Sequence, residues 1–192
     1  MEDKRFAILI DADNISSKYI PFILEEIANY GVATYKRIYG DWTKPESSSW
    51  KDVLLSNSIT PIQQYSYTLG KNATDSAMII DAMDILYSGN VDGFCIASSD
   101  SDFTKLSSRL RESAMFVIGM GERKTPKPFI ASCNQFKYLD VLAEAAKVAA
   151  KEDSKEEEKA NPKAATTKKP RTTAKSKATE TKTAESKSSE NK

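Results

Sequence analysis

Phe6-Ala7-Ile8-Leu9-Ile10-Asp11-Ala12-Asp13-Asn14 sets five apolar residues directly before two acids. A continuous apolar run of this kind fits a strand buried on both faces, and the acids then stand where the strand ends. The pattern returns later in the chain. Gly93-Phe94-Cys95-Ile96-Ala97 leads into Ser98-Ser99-Asp100-Ser101-Asp102-Phe103. Acids at the ends of two buried strands can converge at one sheet edge, and converging carboxylates repel unless a cation or a shared proton relieves them. The sequence contains no histidine, so an imidazole base and imidazole metal ligands are both excluded. What remains is carboxylate chemistry, most naturally with Mg²⁺ or Mn²⁺.

Working outward from these two runs, strands and helices alternate. Ile20, Ile23, Leu24 and Ile27 form one helical stripe within Ile20–Tyr30, and Gly31 fits a helix stop. Val32–Tyr39 alternates as a second strand, and Trp50, Val53 and Leu54 mark a short helix with Ser47–Ser49 as capping positions. Ile59–Tyr65 is a weaker third strand, interrupted by Pro61. Thr74 is placed to cap a helix over Asp75–Tyr87, followed by a strand at Phe94–Ala97 and a helix over Phe103–Arg111. Met115–Met120 reads as a fifth strand, Thr125–Cys133 as a short helix, Phe136–Leu139 as a short strand and Val141–Ala150 as a last helix. The order predicts an α/β fold with a mainly parallel sheet covered on both faces, and in such sheets sites lie at the carboxyl ends of the strands.

Composition divides the chain. Residues 1–150 have globular density, enough for a single core, whereas residues 151–192 are almost entirely Lys, Glu, Ala, Thr and Ser. Such a tail buries too little apolar surface to offset its ordering entropy, so a disordered extension is expected. From Pro162 to Lys192 it carries nine basic residues against three acidic. A polybasic segment beside an acidic pocket suits a polyanionic substrate; a solubilising tail with no partner is the plainer alternative. Cys95 and Cys133 read as reduced core thiols. The five apolar residues after Met1-Glu2-Asp3-Lys4-Arg5 are too few for a signal segment, and no stretch approaches the roughly 18 needed to span a membrane. A cytoplasmic protein is expected.

Phosphodiester hydrolysis needs an activated water and stabilisation of charge on the phosphate and leaving oxygens, which carboxylate-held divalent ions can supply. Asp11 and Asp100 are the first acids past the buried strands, and Asp75 stands at the start of a helix beside the same edge. Asp13 and Asp102 are supporting candidates, and Asn14 could orient a carboxylate or contact a phosphate. Taken singly, Asp13, Ser99 and Asp102 are equally at home as helix caps. Asp81 and Asp84 lie roughly 600° and 900° round the helix from Asp75 and read as solvated or salt-bridged. Lys71 could meet a phosphate. Tyr39 and Trp42 could stack on a base or pack in the core. Arg123, Lys124 and Lys127 form a basic loop that contacts phosphate or is simply solvated.

The strings Ile10-Asp11-Ala12-Asp13-Asn14, Tyr39-Gly40-Asp41-Trp42, Lys71-Asn72-Ala73-Thr74-Asp75, Ser98-Ser99-Asp100-Ser101-Asp102-Phe103 and Gly121-Glu122-Arg123-Lys124-Thr125-Pro126 occur in this order. Together they resemble the NYN domain of the PIN-like nuclease superfamily, in its LabA-like bacterial branch. The resemblance implies a three-layer α/β/α PIN-like (Rossmannoid) fold and Mg²⁺- or Mn²⁺-dependent ribonuclease chemistry acting on RNA. It assigns the family's first acid to Asp11, its Asn to Asn14, its helix-start acid to Asp75 and its late strand-end acid to Asp100, with Asp102 as an accessory. Relatives often carry a further small RNA-binding domain, in place of which a Lys/Ala/Thr tail offers phosphate affinity without base readout. PIN-like proteins often pair, and Val141–Ala150 is the candidate helix for a homodimer. Two rival readings remain at this level. One is a non-catalytic RNA-binding adaptor of the same fold. The other is a haloacid dehalogenase-type phosphatase using Asp11 and Asp13, although Ile15 and the spacing of Asp100 and Asp102 do not match that family.

Overall fold

The computed structural model describes residues 3–65 and 73–160. Lys71 and the basic segment 162–192 lie outside the described residues. Six strands form one sheet: β1 (Arg5–Asp11), β2 (Val32–Gly40), β3 (Thr60–Gln63), β4 (Gly93–Ala97), β5 (Phe116–Gly121) and β6 (Gln135–Tyr138). Their order is β3-β2-β1-β4-β5-β6, and every pair is parallel. Among the described residues the α-helices are α1 (Ile20–Ala28), α2 (Lys51–Asn57), α3 (Ala73–Ser88), α4 (Thr104–Glu112), α5 (Lys127–Ser132) and α6 (Leu139–Ala160). Parallel neighbours need crossovers, and these helices supply them on both faces.

Alternation along the strands builds two cores. Phe6, Ile8 and Ile10 of β1, with Cys95, Ala97, Ile118 and Met120, pack under α1, α2 and α6. Ala7 and Leu9, with Tyr39, Phe94, Ile96 and Val117, pack under α3, α4 and α5. Phe6 to Ile10 are wholly buried, so the run needs no polar face. Both cysteines are free and buried. Pro61 is tolerated because β3 is an edge strand with a neighbour on one side only. Among the described residues, no helix is long and apolar enough to cross a membrane.

Several expected boundaries move. α3 begins at Ala73, so Thr74 lies inside its first turn instead of capping it, and the Thr74 hydroxyl donates to Asp13 Oδ2 at 3.1 Å. No serine side chain caps α2, which follows a 3-10 turn over Pro45–Trp50. α5 is shorter than Thr125–Cys133 because Pro126 sits at its N-cap. α6 is described to Ala160, past the expected Ala150, since Lys, Glu and Ala favour helix.

Candidate metal centre

β1 and β4 lie side by side at the centre of the sheet, with Ile10 opposite Ala97. The chain leaves them in opposite directions, β1 toward β2 and β4 toward β5. This is the switch point at which a parallel sheet opens a crevice beyond its carboxyl ends. Asp11 closes β1, and Ser98 follows the last residue of β4. The first turn of α3 brings Asp75 to the same edge.

One oxygen each from Asp75, Asp100 and Asp102 lie within 4.8 Å of one another. Asp100 is also the N-cap of a 3-10 turn over Ser101–Phe103, accepting from the Asp102 N–H at 3.0 Å. The cap thus falls on Asp100 and not on Ser99 or Asp102, and it fixes the loop that carries both acids. Gly121 lets β5 approach this loop, because a Cβ there would fall 2.6 Å from the Ser98 carbonyl and from Thr125 Oγ1. Burial, followed by the charges of Asp11, Asp100, Asp102 and Asp13, raises the Asp75 carboxyl to about 6.

Asp11 is wholly buried and lies outside the group of three. Its Oδ2 accepts from the Ser98 hydroxyl at 2.7 Å and from Asn14 Nδ2 at 2.8 Å, and its Oδ1 from the Asp13 N–H at 3.0 Å. Burial still raises its pKa against these donors. Asn14 thus orients a carboxylate, one of the two roles its position allowed. Asp13 is exposed and engaged elsewhere, by the Thr74 hydroxyl and by Lys44 Nζ at 3.9 Å. A buried, triply bonded Asp11 is poorly placed to attack a substrate, which argues against the phosphatase reading.

Ser98 escaped the sequence reading as a site residue. Its hydroxyl donates to Asp11 and accepts the Asp100 N–H at 3.1 Å, so one buried side chain ties the two strand ends together. The available signal was its place as the first polar residue after β4. Arg37 was also missed, because its significance depends on a partner distant in sequence, Asp81.

The remaining candidates divide, and one expectation is corrected. Tyr39 does not offer an exposed ring, since it is wholly buried and its hydroxyl donates to Asp81. Core packing wins because its face of β2 is covered by α3. Asp81 is salt-bridged, to Arg37. Trp42 is half-buried, with its indole N–H donating to the Ile62 carbonyl at 2.9 Å. Arg123 pairs with Asp140 and Glu144, and Lys124 with Glu122 at 2.9 Å. Both basic side chains are exposed, so phosphate would compete with carboxylates of the same chain.

The model of the NYN domain matches residues 5–140. This chain belongs to the NYN domain family. No curated protein matches it in sequence. Among solved structures, the crystal structure of a protein of unknown function from Vibrio parahaemolyticus is similar to this NYN domain with a TM-score of 0.60 and 19% identity. That match covers 71% of this chain and 93% of the other, and it shows a shared fold. NYN domains are generally nucleases, and an acidic cluster able to hold a divalent cation suits that class.

Proposed function

We propose that this NYN domain is a metal-dependent ribonuclease that hydrolyses RNA phosphodiester bonds at Asp75, Asp100 and Asp102, with Mg²⁺ or Mn²⁺ as its cofactor. The observation that carries the reading is the convergence of three carboxylate oxygens within 4.8 Å at the switch point. The donors are all hard oxygens, which fit Mg²⁺ and Mn²⁺ and offer nothing to a soft metal. A divalent ion held there would supply positive charge to the phosphate oxygens and make a water acidic enough to ionise near neutrality. Asp75, Asp100 and Asp102 would hold the ion. Asp11 adds a fourth negative charge from the sheet, oriented by Asn14 and Ser98. Lys71, Arg123, Lys124 and the tail from 162 are the cations proposed to bind RNA phosphates, and Trp42 the ring proposed to meet a base.

The test is cleavage of labelled single-stranded and hairpin RNA with Mn²⁺, Mg²⁺ or EDTA, using wild type and Asp100→Asn in parallel. Cleavage that requires metal and disappears in the variant is expected. Metal-independent cleavage, or equal cleavage by the variant, would exclude this site. RNA retention by both proteins without cleavage would favour the adaptor.

A further inference from the structure

Beneath the metal-site edge, α3 is fastened to β2 by one carboxylate. Arg37 Nη1 donates to Asp81 Oδ1, and the Tyr39 hydroxyl donates to Asp81 Oδ2. Arg37 and Tyr39 are two apart on β2 and so share the face that α3 covers. Tyr35 shares it too, and the Arg37 guanidinium lies 5.1 Å from the Tyr35 ring centre. The cluster is largely removed from water: Tyr39 is wholly buried, and the Arg37 and Asp81 side chains are 29% and 20% exposed. Burial, followed by the Asp81 carboxylate, holds the Tyr39 phenol far above its ordinary range, so it stays a donor.

The Thr74 hydroxyl bonds Asp13 in the loop after β1, and against the sheet itself α3 packs apolar side chains, among them the buried Met78, Ala82 and Ile85. Such contacts favour burial without fixing direction, and a helix can slide or turn on them at small cost. Hydrogen bonds are directional. With a separate donor on each oxygen, both arising from one rigid strand, the Asp81 carboxylate is fixed in position and in plane. Asp75 lies six residues earlier on the same helix, about 9 Å along its axis. A small slide or rotation of α3 would carry the Asp75 oxygen out of its grouping with Asp100 and Asp102.

We infer that Asp81, gripped by Arg37 and Tyr39, is a positioning residue that sets the axial place and rotation of α3 and so holds Asp75 in the metal-binding group. The inference rests on the metal-site reading proposed above. It gives the buried tyrosine and the salt-bridged aspartate a role in the site without contact with ion or substrate.

The experiment compares full-length wild type, Tyr39→Phe, Asp81→Asn and the control Ile85→Val, which loosens α3 without touching the clamp. Mn²⁺ binding is followed by titration calorimetry, and amide hydrogen exchange is measured without metal. The clamp variants are expected to bind Mn²⁺ about tenfold or more weakly, with Ile85→Val within about twofold of wild type. Exchange from Met78 to Ala82 should quicken about tenfold in Tyr39→Phe while α4 keeps its wild-type protection. Wild-type affinity in both clamp variants, or an equal loss in Ile85→Val, would overturn the inference. If wild type itself bound no Mn²⁺, the metal reading would fail, and unchanged exchange in Tyr39→Phe would separately overturn the clamp. Tyr39→Phe removes one oxygen and preserves the ring, so the test survives if Asp81→Asn fails to fold.

Discussion

The two ends of the sheet treat their aspartates in opposite ways. At the amino end, Asp92 receives the Arg5 N–H at 2.8 Å and the Arg5 guanidinium at 3.3 Å, and these hydrogen bonds hold its carboxyl below the ordinary range. At the carboxyl end, Asp75 faces Asp11, Asp100, Asp102 and Asp13, and its carboxyl is pushed up to about 6. The same residue type on the same domain is settled by a cation at one edge and left facing like charges at the other. An acid already compensated by its own chain is explained by folding alone. Acids whose oxygens are held within reach of one another are a candidate for binding a cation.

The greatest loss of function is expected at the carboxyl end of the sheet. Asp75→Asn should reduce metal-dependent RNA cleavage by about a thousandfold or more while raising the melting temperature of the metal-free protein by a few degrees. Both follow from removing one of the repelling charges, and calorimetry beside the cleavage assay checks them. A fall in both would mean that Asp75 is structural.

Acid should act next. The Asp75 carboxyl stands above its unfolded value of 3.8, at about 6, so the folded state holds its proton more tightly. Its contribution to stability is full below about pH 4 and is lost as pH rises through about 6. Metal-free protein should therefore lose stability across that window, and Mn²⁺ affinity should fall up to about tenfold per pH unit below 6 as protons compete. Thermal melts with and without Mn²⁺ from pH 4.5 to 7.5 would show the two trends running in opposite directions.

Removing Ser98 tests whether orientation matters as well as charge. Ser98→Ala strips one donor from Asp11 and one acceptor from the Asp100 N–H. The expected cost is about 1–3 kcal/mol in stability, since buried polar groups lose partners, with a lower kcat and little change in KM. An unchanged kcat would confine Ser98 to folding.

The smallest effect lies at the opposite edge. Asp92→Asn should leave cleavage and Mn²⁺ affinity as in wild type and shift the melting temperature by no more than about 2 °C, because exposed ion pairs contribute little. A large loss of activity there would erase the distinction between the two ends.

Features set by neighbours along the chain can be read from the sequence, and those set by distant partners cannot. The runs Phe6–Ile10 and Gly93–Ala97 announced buried strands because every residue was apolar, and the acids after them were placed by adjacency. Asp75 was legible because a helix start follows a strand in a β-α alternation. The tyrosine was not: Tyr39 lies near the end of β2 and Trp42 just beyond it, and only the covering helix decides which ring is buried. Nor was the partnering of Arg123 and Lys124, whose carboxylates come from α6 and from the loop itself.

Element order, the parallel sheet and the carboxylate character of the candidate site follow from the chain read alone, because apolar periodicity and the absence of histidine are local or compositional facts. Which acids meet is set by the fold. It grouped Asp102 with Asp75 and Asp100, left Asp11 bonded in the sheet, turned Asp13 toward Thr74 and Lys44, and closed Arg37 and Tyr39 on Asp81. The physical reason is that carboxylate repulsion and hydrogen-bond geometry act over a few ångströms in space, between residues that the chain keeps far apart.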